Sequence, residues 1–381
     1  MKRREKIKKS DDENSGETRK RPRILIVAPS SPLVGGQAVQ AAQLLENLGN
    51  EKSIEADLQP TNPQFLTALQ KIRYVRTVVT SAAYIFELLV KVPRRDVIHI
   101  FSAGETGFLI STTPAILIAK LFGKKTILHY HHGGAAAHLK NWRRTALPTV
   151  KLFDKIVVPS NFLVNVFAEF NLKAEPIFNL VNTKNYHFRK RETLRPIFLS
   201  NRNFDALYNV GCILRAFAII QKKFPAAKLL VAGDGAEREK LYALAKELKL
   251  ENVEFLGQIA PEKMPALYDR ADVYLNSSNV DNMPNSIIEA FAAETPVVST
   301  DAGGIPFIVT HGETGLLVAK NDCESLAREA IKLLEDRELT QKIIIEARRE
   351  CEKYDWKNVR EKWLELYSTL ANSAEKYRAR E

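Results

Sequence analysis

Asp281 to Val318 reads DNMPNSIIEAFAAETPVVSTDAGGIPFIVTHGETGLLV. Pro284 suits the first turn of a helix, where a missing N–H costs nothing because the leading amides have no intrahelical acceptor. Asn285, Ser286 and Ile287 then offer free amides at a positive dipole end, a setting that favours phosphate. Glu289 falls about one turn into the helix and Asp281 on the loop before it, so the two carboxylates can face one mouth. The run from Pro296 to Ser299 (PVVS) reads as a buried strand, and Gly303-Gly304 as a turn with the backbone freedom to face a ligand.

The same strand-and-helix alternation extends in both directions. Towards the N-terminus, RILIVA (Arg23 to Ala28) is a short apolar strand, and Gly35-Gly36 opens a helix that puts Ala41, Leu44, Leu45 and Leu48 on one face. Strands are predicted at Val97 to Phe101, Thr126 to Tyr130 and Lys155 to Val158, with a helix at Ser111 to Leu121. A second series has strands at Pro196 to Leu199, Lys228 to Ala232, Val253 to Leu256 and Val273 to Asn276. Such alternation predicts an α/β protein of two Rossmann-like parallel-sheet domains facing a cleft, with ligands at the carboxyl ends of the strands. The expected division is a basic disordered tail (1–22), an N-terminal acceptor-side domain (23–183) and a C-terminal nucleotide-binding domain (196–355). The polar stretch Thr183 to Arg195 would join them, and a last amphipathic helix (356–381) would pack back on the first domain.

Bulk properties narrow the function. The chain of 381 residues carries a net charge of +11, and residues 1–23 alone hold ten Lys/Arg against five Asp/Glu. The balance suits anionic ligands or an anionic membrane; nucleic-acid binding has no reading motif behind it and is not expected. Three cysteines without C-x-x-C spacing argue against a disulfide framework or a structural zinc, and predict a cytoplasmic setting. Gly107 to Gly123 is too short and too interrupted to span a bilayer. Lys71 to Arg95 mixes six basic residues with a long apolar stretch; the favoured reading packs Ala83, Ile85, Leu88 and Leu89 on the sheet, the other being peripheral contact at the inner face of an anionic membrane. Gly35-Gly36 has neither G-x-G-x-x-G nor G-K-[ST] spacing, so no NAD or ATP chemistry is indicated. LHYHHGGAAAHL places four histidines within ten residues, yet no carboxylate or thiolate partner stands near them and no D-x-D pair occurs, which predicts metal independence.

From Arg23 to about Leu370 the chain resembles the retaining GT-B enzymes of the glycosyl transferases group 1 family. Their E-x7-E motif, PVV strand and GGIPE turn are matched here by Asp281 and Glu289 in D-x7-E, followed by TPVVSTDAGGIPF. The departures are Asp281 for Glu, Glu294 where A-x-G-x-P has Gly, and Phe307 where GGIPE has Glu. Arg202 matches the family's phosphate-binding Arg, but Tyr208 or Asn209 stands near the usual Lys.

The resemblance implies a glycosyltransferase that moves a sugar from a nucleotide-diphosphate donor, UDP- or GDP-linked, to an unidentified glycan, lipid-linked or small-molecule acceptor, with retention and without a cofactor. It assigns Glu289 to the donor ribose and Asp281 to the transferred sugar. Gly35, Gly36, Arg202, Gly235, Ile259, Asn285 and Ser286 become donor contacts, and His131 or His132, with His131 preferred, stands beside the sugar. The rival readings are a sugar-nucleotide epimerase or hydrolase, and a non-catalytic partner protein that has kept the fold.

Overall fold

The computed structural model describes residues 21–30, 35–63, 73–102, 104–186, 191 and 193–378. The predicted disordered tail lies outside the described residues apart from its last two, as does part of the predicted linker. The first half forms a parallel sheet of β1 (Arg23–Ala28), β2 (Glu55–Pro60), β3 (Val97–Ser102), β4 (Lys125–Tyr130), β5 (Lys155–Val158) and β6 (Glu175–Pro176) in the order β2-β1-β3-β4-β5-β6. The second half repeats the design with β7 (Ile197–Ser200), β8 (Lys228–Ala232), β9 (Val253–Gly257), β10 (Val273–Asn276), β11 (Val297–Thr300) and β12 (Leu316–Val318), ordered β12-β11-β10-β7-β8-β9. Central strands such as β1 and β3 are largely apolar and almost wholly buried because helices cover both faces, as parallel sheets require.

On the first sheet, α1 (Gly36–Gly49) covers one face. α2 (Arg73–Lys91), the single turn α3 (Glu105–Gly107), α4 (Thr113–Leu121), α5 (Ala135–Asn141), α6 (Ala146–Lys151) and α7 (Asn161–Glu169) follow in sequence, and most of them pack on the other face. A π-helical turn, Phe108–Thr112, joins α3 to α4, so the helix predicted at Ser111 to Leu121 is α-helical only from Thr113. The second sheet carries α8 (Val210–Lys223), α9 (Arg238–Glu247) and, later in the chain, α12 (Cys323–Glu335) on one face. Its other face holds α10 (Met264–Arg270), α11 (Asn285–Ala292) and α13 (Arg337–Cys351). The chain then recrosses. α14 (Trp356–Arg378) sets Trp363 and Tyr367 against β1, β3 and β4, completing the core on the α1 face of the first sheet.

Two sequence expectations are corrected here. Cys212 at the start of α8 and Cys323 at the start of α12 form a disulfide with Cα atoms 5.1 Å apart; 111 residues of sequence separate them, so their spacing gave no hint of it. Tyr84 and Leu88 of α2, and Val92 just after it, pack on the sheet, whereas Ile85 and Leu89 stay 39% and 40% exposed. The helix is therefore apolar on the side that faces away from the core.

Glu294 explains one departure from the family pattern. It follows α11 with φ +56°, the left-handed conformation that terminates many helices and that glycine adopts without a Cβ penalty. Glu294→Gly is expected to stabilise the protein by about 1 kcal/mol. A rise in the urea midpoint checks this, and a fall would mean that the carboxylate's contacts outweigh the backbone strain.

Candidate active site

The carboxyl ends of the two sheets face each other across a cavity of about 1020 Å³. Gly35, Gly36, His131 and His132 line it from the first domain, and Arg202, Ile259, Asp281, Asn285, Ser286 and Glu289 from the second. Of the residues singled out in the sequence, Gly235 alone is displaced: its backbone backs onto that of Phe204, and Gly233 takes its place in the wall. A Cβ on Gly233 would meet the Arg202 carbonyl oxygen at 2.2 Å, so the loop carrying Arg202 can lie against β8 only where a side chain is missing.

The Gly303-Gly304 turn sets the position of Asp281. Gly303 has φ +55°, the Gly304 amide donates to the Asp281 carbonyl at 3.1 Å, and a Cβ on Gly304 would come within 2.0 Å of the Asn282 carbonyl oxygen. From the other domain, Ser160 donates to the Asn282 side chain, and the bare backbone of Gly133 leaves room for the Asp281–Asn282 peptide. The acidic loop is thus gripped from both sides of the cleft.

Arg202 is the charged centre. Its side chain is 12% exposed; Nη2 donates to Asp281 Oδ2 at 2.5 Å, Nη1 donates to Ser286 Oγ at 3.2 Å, and the guanidinium lies 4.1 Å from the centre of the Tyr208 ring. Burial is the largest influence and opposes the charge, but the Asp281 carboxylate together with Tyr208, Tyr274 and Tyr268 outweighs it and raises the Arg202 pKa, so the cation persists. Arg202 Nε is buried without an acceptor. A buried donor left unmade costs about 1–3 kcal/mol, and an anionic oxygen in the cavity would recover it. Asp281 is more fully spent than expected: Oδ2 takes Arg202 and Oδ1 takes the Asn282 amide at 3.0 Å.

Helix α11 begins one residue later than predicted. Pro284 is its N-cap, and the Ile287 amide donates to the Pro284 carbonyl at 3.1 Å. Two leading amides, those of Asn285 and Ser286, remain without a place in the helix ladder beside Arg202. One turn on, Glu289 Oε2 sits 3.1 Å from the Tyr268 hydroxyl, which also lies 2.8 Å from the Ser286 carbonyl and accepts from Asn201 at 2.9 Å. Burial raises the Glu289 pKa, and hydrogen bonds from Tyr268, Tyr186 and Asn201 oppose that rise. Tyr186, Tyr268 and Asn201 were not foreseen; they come from the linker, α10 and the end of β7, and no motif links them.

In the first domain His131 stacks on Phe101 with centroids 5.2 Å apart and sits 4.1 Å from the His129 ring. Burial pushes its pKa down to about 3, so the ring is a neutral donor or acceptor, and its Nε2 has no partner. His132 lies in the wall against Gly104, where a Cβ would fall 2.6 Å from the ring. His99 Nδ1 meets the Tyr367 hydroxyl at 2.7 Å and His99 Nε2 meets His129 Nδ1 at 3.2 Å, while His138 Nδ1 meets Tyr130 at 2.7 Å. These three are core groups. Phe307, 49% exposed, stands outside the cavity and faces Phe162 of the first domain at 6.3 Å.

Residues 183–350 match the family described as glycosyl transferases group 1. The chain carries a glycosyl transferases group 1 domain. N-acetyl-alpha-D-glucosaminyl L-malate synthase of Bacillus anthracis is 31% identical over 199 residues, 49% of this chain and 51% of that protein. Sulfoquinovosyl transferase SQD2 of Arabidopsis thaliana is 27% identical over 284 residues, 69% of this chain and 54% of that one. The matches thus span about half the length of these relatives. Anabaena HepE, solved in complex with UDP and glucose, superposes with a TM-score of 0.69 at 19% identity over 91% of this chain and 99% of that one. The two-domain architecture is the GT-B fold, and the group 1 domain supplies Arg202 and the α11 wall. No helix among the described residues is long and apolar enough to cross a membrane.

Proposed function

We propose that this protein transfers a sugar from a nucleotide-diphosphate donor, UDP- or GDP-linked, to an acceptor held against the first domain, with retention at the anomeric carbon. The observation that carries the reading is Arg202, buried, charged and short of one acceptor, next to the two free amides of α11. A diphosphate there meets a guanidinium and a helix dipole together, so negative charge growing on the leaving phosphate is stabilised without an added ion.

Asp281 then acts mainly as a positioning residue for Arg202, since both its oxygens are engaged. Neutral His131 orients a sugar hydroxyl, and Glu289, fixed by Tyr268, accepts from the ribose hydroxyls. With the acceptor hydroxyl on the same face as the departing phosphate, a phosphate oxygen takes its proton as the new glycosidic bond forms, which preserves the configuration. Positioning and charge stabilisation are what the protein supplies.

The test begins with calorimetric titration of nucleoside diphosphates and their sugars, followed by turnover on the donors that bind. Glu289→Ala is expected to weaken donor binding about 10–100-fold, the worth of charged hydrogen bonds, with unchanged circular dichroism. Equal affinity in parent and variant would remove Glu289 from the site. Sugar released only to water, whatever acceptor is added, would overturn transfer in favour of hydrolysis.

A further inference from the structure

The α2 side of the first domain is unusual for a protein surface. Val78, Ile85, Phe86, Leu89 and Val90 of α2 are all exposed, Val78 and Phe86 by 69% and 68%. α2 therefore buries one apolar stripe and presents another, where a helix facing water would be polar. The neighbouring α4 does the same with Leu117, Leu121 and the following Phe122, Leu121 being 73% exposed.

The two helices form one surface. Tyr84 of α2 donates to the Ser111 carbonyl at 2.9 Å just before α4, and Lys124 just after it donates to the Pro93 carbonyl at 2.7 Å. α4 is thus tied to α2 at both of its ends. Eight exposed large apolar side chains on two adjoining helices are a clustering that marks an interaction site rather than scattered surface hydrophobics.

Charge identifies the occupant. Residues 73–152 hold twelve Lys/Arg against three Asp/Glu, and of these cations Lys91, Arg95, Lys120 and Lys125 are paired with Glu87, Glu55, Asp57 and Asp154. Arg94, at the end of α2, and Arg143, Arg144 and Lys151, in the segment that follows α4 and β4, are exposed. A second copy of the chain would bring the same cations face to face, and like charges at a contact are costly. Exposed apolar side chains in a domain segment rich in exposed cations instead match an anionic lipid surface, where acyl chains take the former and headgroups the latter.

We propose that the outer face of α2 and α4 docks peripherally on an anionic bilayer. The surface begins beside the cleft: α3, the π-helical turn and its 52% exposed Ile110 follow directly from Gly104, which lies against the His132 ring in the cleft wall. A docked molecule would hold the first-domain side of its cleft close to the headgroups, within reach of an acceptor anchored in the same leaflet. The docking surface rests on the exposed side chains and their charges, independent of the transfer reaction, so it is read without turnover.

The full-length chain is floated with phosphatidylcholine vesicles, with and without phosphatidylglycerol, at low and high salt. The parent is expected to float with the anionic vesicles, to stay down with the neutral ones and to be released by salt. Phe86→Asp with Leu121→Asp, and separately Lys91→Glu, Arg94→Glu and Lys151→Glu together, should each lower the floated fraction at least about tenfold. Thermal midpoints and nucleotide binding report that the variants are folded. A parent that stays down at low salt overturns the proposal. So does flotation unaffected by either set of substitutions, which would assign binding to the basic tail. Self-association abolished by Phe86→Asp and Leu121→Asp, without vesicle binding, would give the surface to a second copy and equally overturn it.

Discussion

Arg202→Ala is expected to lower kcat by about two to three orders of magnitude, the usual cost of losing one preorganised charged donor from a transition-state site. Three facts set the size of the effect. The guanidinium is nearly buried, so its interaction with a phosphate is little screened; its Nε has no other acceptor; and Asp281 would be left without its cation in the same wall. Arg202→Lys should recover little, because one ammonium cannot reach Asp281 and Ser286 in the geometry of a planar fork and also serve the ligand. Single-turnover rates on the donor found by calorimetry measure the loss. Parent-like kcat in Arg202→Ala would move the phosphate site elsewhere and remove the observation on which the functional reading stands.

The fold was legible wherever buried strands are short apolar runs. β1, β5, β8 and β10 have the limits predicted for them, because helices cover both faces and each is a compact apolar run with a polar residue only at one end. β2 escaped notice because EADLQP lies at a sheet edge, with one fully buried residue among six; β6 has two residues and β12 three, too few for a periodic signal. In the cleft, Asp281, Ser286 and Glu289 lie on one continuous segment, where spacing carries information, and Arg202 comes from a loop with its own family match. The tyrosines around Glu289 come together only through the packing of α10 on α11 and the course of the linker. The Cys212–Cys323 pair likewise depends on α8 lying beside α12. For α2, composition could not say which apolar residues face the sheet, since both sides of the helix are apolar.

Acid is expected to destabilise the protein well before its carboxylates are protonated. His99, His129 and His138 are at most 4% exposed and bonded as neutral rings to Tyr367, to one another or to Tyr130. Burial lowers the pKa of His99 to about 3 and that of His138 to about 4, and drives that of His129 well below its ordinary value. In the unfolded chain each titrates near about 6.5. Below that pH the unfolded state binds protons that the folded state does not, so the stabilisation is complete above about 6.5 and is lost as pH falls towards the folded values. Each group costs about 1.4 kcal/mol per pH unit in that window, or about 1.3 kcal/mol between pH 7 and 5.5; His131, whose pKa burial also lowers to about 3, adds an equal share, so the four together cost about 5 kcal/mol. Glu289 and Glu294, whose pKa values burial raises, act in the opposite sense. Urea midpoints at pH 7 and 5.5 measure the loss, and His99→Gln should remove about a quarter of it while leaving one polar partner for Tyr367. A midpoint that does not move between those two values would overturn the prediction, because it would mean that the rings packed against Trp363, Phe108 and Tyr130 take up protons without unfolding.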